Sequence, residues 1–532
     1  MLDWIVRGAR VVDGTGAPWI RTDVGVKGDR IAAMGNLEGA RAHREVDAGG
    51  DILAPGFIDV HTHSDLPLLV EGEGHSHIRQ GVTTVAIGNC GNSPAPLSER
   101  GASLFREQIA VDFPELDWPP GPAGLADYLG ELARRGTSSN VVPLVGHGTL
   151  RMSAMGFVGE APGRDAMDAM KSMLAGAMEA GAFGLSSGLI YTPGSYARTP
   201  ELVELARVVA AYRGIYASHI RGENDTLFDA VDEAIEIGEA AGIPVQIAHL
   251  KVMGRHMWGS ADRLLEVIEG ARERGIDVTA DQYPYEASAT GLSAYLPGWA
   301  HGGSREDLLR RLGDPRAREE MRRDILEGVE DWVSPYRGVG WENTLVTRCS
   351  DPDLEGRSVE EIARERGADP FDTAFDLLIE NDGNVNVVLS TIGESDLERI
   401  MAHPAVMIAS DSGVSAVEGP LARGKPHPRS FGTFVRVLGE YVRERGVLTL
   451  EEAVRKMTSM PAARLGLWDR GVLRVGARAD LVIFDPGAVG DRATYTDPFA
   501  YPTGVSAVFV NGWETVRGGA HLGARAGRVL SR

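Results

Sequence analysis

The stretch Gly56-Phe-Ile-Asp-Val-His61-Thr-His63 decides how this chain reads. A short apolar run ends in two imidazoles at i and i+2, a spacing that turns both to the same side of a strand or of its first loop residue. Four more runs stop at a potential ligand: Val82 to Gly88 leads to Cys90, Ile215-Tyr-Ala to His219, Val245-Gln-Ile-Ala to His249, and Val406-Met-Ile-Ala to Asp411. Runs this short and this rich in Val, Ile and Ala read as buried strands. In a parallel α/β barrel the C-terminal strand ends all open onto one face, so ligands hundreds of residues apart can meet there. Imidazoles, a thiolate and a carboxylate form a donor set suited to Zn²⁺.

From residue 56 to 415 strands alternate with amphipathic helices at about 165–180, 226–241 and 261–274, the rhythm of βα units on a parallel sheet. The expected architecture is a (β/α)₈ barrel of the metal-dependent hydrolase type. Strand candidates end near His63, Cys90, His147, Ser187, His219, His249, Tyr283, Thr391 and Asp411, one more than such a barrel holds. The Arg- and Glu-rich stretch 286–347 is too long for a connecting loop and reads as an inserted lid subdomain. Its Leu292, Ala294, Tyr295, Leu296, Pro297 and Trp299 would give the pocket an apolar roof. Residues 1–55 are short strands punctuated by Gly turns, and that texture returns from Gly471 onward. A small β-sandwich built from both ends, 1–55 plus 416–532 with a helical segment, is therefore expected to flank the barrel.

Composition excludes several function classes. Lys and Arg number 54 against 75 Asp and Glu, a net charge of −21 in 532 residues, so the basic field needed for nucleic acid or an anionic membrane surface is missing. No window approaches the roughly 18 uncharged apolar residues of a membrane span, and the N-terminal segment has no secretory pattern. Cys90 and Cys349 are the only cysteines, which offers no disulfide framework and fits a reducing, cytoplasmic setting.

Asp411, in Ala409-Ser-Asp-Ser-Gly413, is the candidate proton carrier, because a carboxylate beside a metal can accept a proton from water and pass it to a leaving amine. Many barrel hydrolases place a metal-bridging Lys at the end of the fourth strand, but Phe183-Gly-Leu-Ser-Ser-Gly188 contains none. The Cys90 thiolate could bridge instead. His147, at a third strand end, reads as a support for the ligands or as a purely structural residue. His43, His256, His301, His403 and His521 read as surface residues.

With these strand ends, the chain resembles the amidohydrolase superfamily and, within it, the D-aminoacylase or N-acyl-D-amino-acid deacylase branch. The resemblance runs through Gly56 to His63, Gln80-Gly-Val-Thr-Thr-Val, Gly88-Asn-Cys-Gly91, Gly146 to Arg151, Ser187 to Pro193, Ser218-His-Ile-Arg221, His249-Leu-Lys251, Asp281 to Tyr285, Ser410-Asp-Ser412 and His427-Pro-Arg429. It implies one tightly held Zn²⁺ on Cys90, His219 and His249, with a weaker second position at His61, His63 and Asp411. It assigns Lys251, Tyr191, Tyr283, Ser288 and Arg429 to the substrate's α-carboxylate. The implied activity is hydrolysis of N-acyl-D-amino acids with neutral or apolar side chains. Alternatives within the superfamily are a dipeptidase for peptides with a C-terminal D-residue and a cyclic-amide hydrolase; a non-catalytic scaffold is disfavoured because every candidate ligand is present. The expected partner is a small N-acylated amino acid or dipeptide.

Overall fold

A computed structural model describes residues 1–329 and 332–532; residues 330 and 331, within the expected insertion, lie outside it. The chain begins with five strands, β1 (Leu2–Val11), β2 (Ile20–Lys27), β3 (Arg30–Gly35), β4 (Ala42–Asp47) and β5 (Ile52–Pro55). Barrel strands follow: β6 (Phe57–Asp59), β7 (Val82–Ile87), β8 (Asn140–Pro143), β9 (Val145–Gly146), β10 (Gly184–Gly188), β11 (Ile215–His219), β12 (Val245–Ile247) and β13 (Val278–Gln282). An excursion carries β14 (Ala287–Gly291), β15 (Thr344–Arg348) and β16 (Asn386–Ser390), after which β17 (Val406–Ile408) returns to the barrel. The last strands are β18 (Leu481–Phe484), β19 (Val505–Val510), β20 (Trp513–Arg517) and β21 (Ala520–His521).

Strands β6, β7 and β8 pair in parallel, as do β9, β10, β11, β12, β13 and β17. The two sheets are stitched together by Leu144 N donating to Ile87 O and Phe183 N to Pro143 O, so β8 and β9 act as one kinked strand. At the other seam Thr62 bridges Ser412 in parallel, and Asp411 N donates to His61 O. Eight strand positions thus follow one another around a ring. Inside it Ile58, Val60, Ala86, Val142, Leu144, Ala217, Met407 and Ala409 form one core, closed at the end opposite the ligands by Ala462 and Leu465. Alternate residues facing inward in a packed plug are what a small parallel barrel requires.

The excess strand candidate is resolved by pairing. The run ending near Thr391 is β16, the middle strand of a separate antiparallel sheet ordered β14-β16-β15. Its Val387, Val388 and Leu389 are as buried as a barrel strand, and a short apolar run cannot tell one buried sheet from another. The insertion therefore runs on to about residue 392, beyond the 286–347 expected. It has its own core, which absorbs Leu292, Tyr295 and Leu296. Tyr295 is 1% exposed, stacks on Trp341 and shares a 2.7 Å hydrogen bond with Thr344. Those side chains do not form a roof over the pocket.

The terminal strands form one nine-stranded sheet in which β5 pairs with β18, joining the two ends of the chain. Trp4 on β1 meets Phe509 on β19 edge to face at 5.0 Å although β5 and β18 lie between those strands, so the sheet curls over its own core. The boundary at 416 needs correction. The helical stretch from Arg429 to Leu465 packs on the barrel, with Phe434 stacked on Phe57 and Ala462 plugging the interior, and only from about residue 471 does the chain join the terminal sheet. Among the described residues, no helix is long and apolar enough to cross a membrane.

Candidate active site

The strand ends deliver the expected ligands to one place. His61, His63, Cys90 and Asp411 offer donor atoms that all lie within 4.8 Å of one another, and Cys90, His219 and His249 form a second such group. Cys90 belongs to both. Its Sγ is 3.2 Å from His61 Nε2 and 3.7 Å from His249 Nε2, while Asp411 Oδ1 lies 3.1 Å from His63 Nε2 and 3.3 Å from His61 Nε2.

Three of these residues hold backbones that side chains rarely adopt: Cys90, His249 and Asp411 have φ of 50°, 36° and 49°. Such conformations cost about 1–3 kcal/mol each and persist where the surrounding structure enforces them, typically at functional sites. The turn that presents Cys90 is enforced by crowding. A Cβ on Gly88 would lie 2.1 Å from Leu144 O, and one on Gly188 would lie 2.1 Å from Cys90 O. The second contact gives a physical reason why no bulky side chain, lysine included, occupies that fourth strand end at Gly188.

Electrostatics point the same way. Burial alone would raise the Cys90 thiol, but the His61 charge and hydrogen bonds from His219, His249 and His61 pull it well below the usual thiol range. Burial likewise opposes ionisation of Asp411, and the Arg429 charge, with His249, His61 and His63, holds it well below the usual carboxylate range. Both shifts favour the anionic form, the state that receives a cation. His249 Nε2 and His219 Nδ1 approach to 2.7 Å, two lone-pair nitrogens that need a shared proton or cation to face each other. The donor set, its convergence and these paired nitrogens fit Zn²⁺.

Several supports escaped the sequence reading. Asp281 Oδ1 accepts from His61 Nδ1 at 3.1 Å and from His249 N at 2.8 Å, and Gln246 donates to Oδ2 at 2.8 Å. Glu223 Oε1 lies 3.1 Å from His249 Nδ1. Asp281 orients His61 with Nε2 facing the cluster, and Glu223 and the Lys251 ammonium, 2.9 Å from His249 Nδ1, together anchor the far side of the His249 ring so that its Nε2 faces the cluster too. Asp59 accepts from Ser410 N at 3.0 Å and lies 3.5 Å from buried His77, bracing the Asp411 turn. The only available signal was position: Asp281 ends the seventh barrel strand, and Glu223 follows His219 by four residues.

The residues assigned by resemblance to the carboxylate all line one cavity of about 460 Å³ over the cluster: Tyr191, Lys251, Tyr283, Ser288 and Arg429. Their availability differs. Lys251 is held by Glu223, by His249 O at 3.0 Å and by His249 Nδ1 at 2.9 Å. Arg429 Nη1 is 2.8 Å from Asp411 Oδ2, yet its Nε and Nη1 have no directed hydrogen-bond partner among the described residues, and the same is true of the Tyr283 hydroxyl. The guanidinium lies 4.7 Å over the Tyr283 ring. Tyr191 comes from the opposite rim, packs against His219 at 4.9 Å between ring centroids, and shares a hydrogen bond of 3.2 Å with Thr290. His427 ties the insertion to this group: Nε2 donates to Ala287 O at 3.0 Å and Nδ1 accepts from Arg429 N at 3.0 Å.

His147 does not reach the cavity. It is fully buried and bonds Glu201 at 2.8 Å, which also takes Arg151 at 2.6 Å. From the insertion the cavity wall receives Ser288 to Gly291, Pro335, Thr347, Asn386 and Leu389, with no basic side chain among them.

Comparisons agree with this geometry. Residues 44–516 match the model of the Amidohydrolase family. The chain is 37% identical over its whole length to D-aminoacylase of Alcaligenes xylosoxydans xylosoxydans, covering 98% of that protein. It is 39% identical, again over its whole length, to the N-acyl-D-glutamate deacylase of the same organism, covering 97% of it. Among solved structures, N-acyl-D-glutamate deacylase from Bordetella bronchiseptica, complexed with zinc and a phosphonate mimic of the tetrahedral intermediate, superposes with a TM-score of 0.83 at 36% identity, each chain covered completely.

Proposed function

The chain belongs to the amidohydrolase family, and from that premise we propose that it is a zinc-dependent deacylase that cleaves N-acyl-D-amino acids to a carboxylate and a free D-amino acid. The observation that carries the reading is the pair of donor groups sharing Cys90. Cys90, His219 and His249 would hold one zinc, and His61, His63 and Asp411 a second, weaker one. When bound, zinc polarises the acyl oxygen and lowers the pKa of water toward neutrality.

The protein's own residues supply the remainder. Asp411 accepts the proton of the attacking water at its carboxylate and returns it to the leaving nitrogen. Arg429 and Tyr283, whose donor atoms lack directed partners, bind the substrate α-carboxylate, with Ser288 on the same wall. Lys251 sits beside them but is engaged by Glu223, so its larger contribution is to hold His249. The neutral wall from Ser288 to Leu389 favours an uncharged substrate side chain, because an ionised one would be buried without a partner.

Paired N-acetyl-D- and N-acetyl-L-leucine, with N-acetyl-D-glutamate alongside, test this with released amine as the readout. Hydrolysis of the D-leucine derivative, abolished by a chelator and restored by zinc, is expected, with kcat/KM at least about tenfold above the D-glutamate derivative. Preference for the L-derivative, or full activity after metal removal, would overturn the reading.

A further inference from the structure

Beside the proposed catalytic cavity lies a second one of about 360 Å³, and Ile190, Tyr191 and Gly291 line both. Its apolar wall carries Leu104, Phe157, Ala294 and Leu308, while Arg305, Gln108 and Asn384 and the exposed Glu107 and Asp382 make much of the rest of its lining polar. None of the candidate ligands lines it. His301, read from sequence as a surface residue, lines it as well.

Its direction from the cluster is informative. The groups proposed for the α-carboxylate, Tyr283 and Arg429, come from the segments after the seventh and eighth barrel strands. The second cavity lies on the Tyr191 side of the mouth, between the segments after the second, third and fourth strands, carrying Leu104, Phe157 and Ile190, and the insertion, carrying Ala294, His301 and Leu308. A secondary amide is planar and trans, so the amino-acid carbon and the acyl chain leave it in opposite directions. With the carboxylate at Arg429 and the carbonyl at the ligand cluster, the acyl chain points past Tyr191.

We propose that this cavity is an acyl-chain site, and that the enzyme takes aliphatic acyl groups several carbons longer than acetyl. The inference rests on the deacylase reading above. A buried methylene is worth up to about 0.8 kcal/mol, close to a fourfold gain per carbon, and the half-open cavity returns part of that. Tyr191, with its hydroxyl on Thr290, forms the threshold between the two spaces.

The test compares N-acetyl- and N-hexanoyl-D-leucine. The unmodified enzyme should hydrolyse the hexanoyl derivative with kcat/KM at least about tenfold higher. Phe157→Ala, which strips the wall, and Ala294→Phe, which fills the space, should each cut that advantage to threefold or less while N-acetyl-D-leucine is hydrolysed as before. A measurement free of any variant is inhibition of N-acetyl-D-leucine hydrolysis by hexanoate against acetate, where hexanoate should be the stronger inhibitor. Hydrolysis of the acetyl substrate with no gain from the longer chain would overturn the acyl site and leave the deacylase reading standing. Failure to cleave either D-derivative would overturn both.

Discussion

At the barrel mouth, six candidate ligands from five strand ends converge, and their carboxylate supports Asp281 and Glu223 arrive from the same strand ends or just beyond them. In the insertion the side chains with the strongest apolar signal, Leu292, Tyr295 and Leu296, turn away from the cavity into a private core, and small residues of β14 form the wall instead. The difference follows from geometry. A parallel strand has one end at the site, so its last residue is committed to it. An inserted subdomain must first bury enough apolar surface to fold, and what remains facing the cavity is whatever its edge presents.

The sharpest way to break this contrast is at Cys90, the atom common to both donor groups. Cys90→Ser should strip zinc and lower kcat by about 10³ or more, because a serine hydroxyl stays protonated where a thiolate binds and the metal's several kcal/mol of transition-state stabilisation are lost. Asp411→Asn should instead retain zinc at Cys90, His219 and His249 while kcat falls by about 10². Zinc content measured beside kcat separates the two. A zinc-replete, active Cys90→Ser enzyme would mean that the strand-end geometry misled.

A smaller effect probes the supports. Asp281→Asn keeps an oxygen for His249 N but weakens the charge behind His61, and should cost about 10- to 100-fold in metal affinity or activity. Zinc titration of apo-protein reads it directly. An unchanged affinity would place Asp281 with ordinary core hydrogen bonds.

What the sequence disclosed divides along the same line. The barrel and the convergence of six donor side chains at its mouth were legible because each strand is a short apolar run stopped by a donor, a pattern local in sequence although its product is assembled across the chain. Asp281 was visible within a quoted motif, yet its role depends on contacts with Gln246, His61 and His249 that no spacing encodes. The engagement of Lys251 by Glu223 is hidden for the same reason. The true end of the insertion near residue 392 could not be read, since β16 differs from a barrel strand only in its partners, β14 and β15. The barrel-packed helices from Arg429 to Leu465 carry an apolar face that fits either neighbouring body equally well.

The smallest effect lies in the insertion, at His301, and it sharpens the comparison because it moves stability without touching the ligands. Burial pushes the His301 imidazole down to about 4, against an ordinary value near 6.5, and Nε2 donates to Ser293 O at 3.1 Å. With its pKa depressed on folding, the neutral ring supports the folded state fully above about pH 6.5. That support is lost as pH falls from there toward 4, where the unfolded chain binds the proton and the folded one resists it. His301→Gln retains a side-chain donor but has no proton to gain. Its Tm should therefore fall less than the parent's between pH 7.5 and 5, by roughly 1–2 °C. Thermal unfolding at the two pH values checks this, with zinc-dependent activity at pH 7.5 unchanged. If both proteins lose the same stability on acidification, His301 takes up its proton in the folded insertion as readily as in the unfolded chain, and the segment is looser around it than its private core implies.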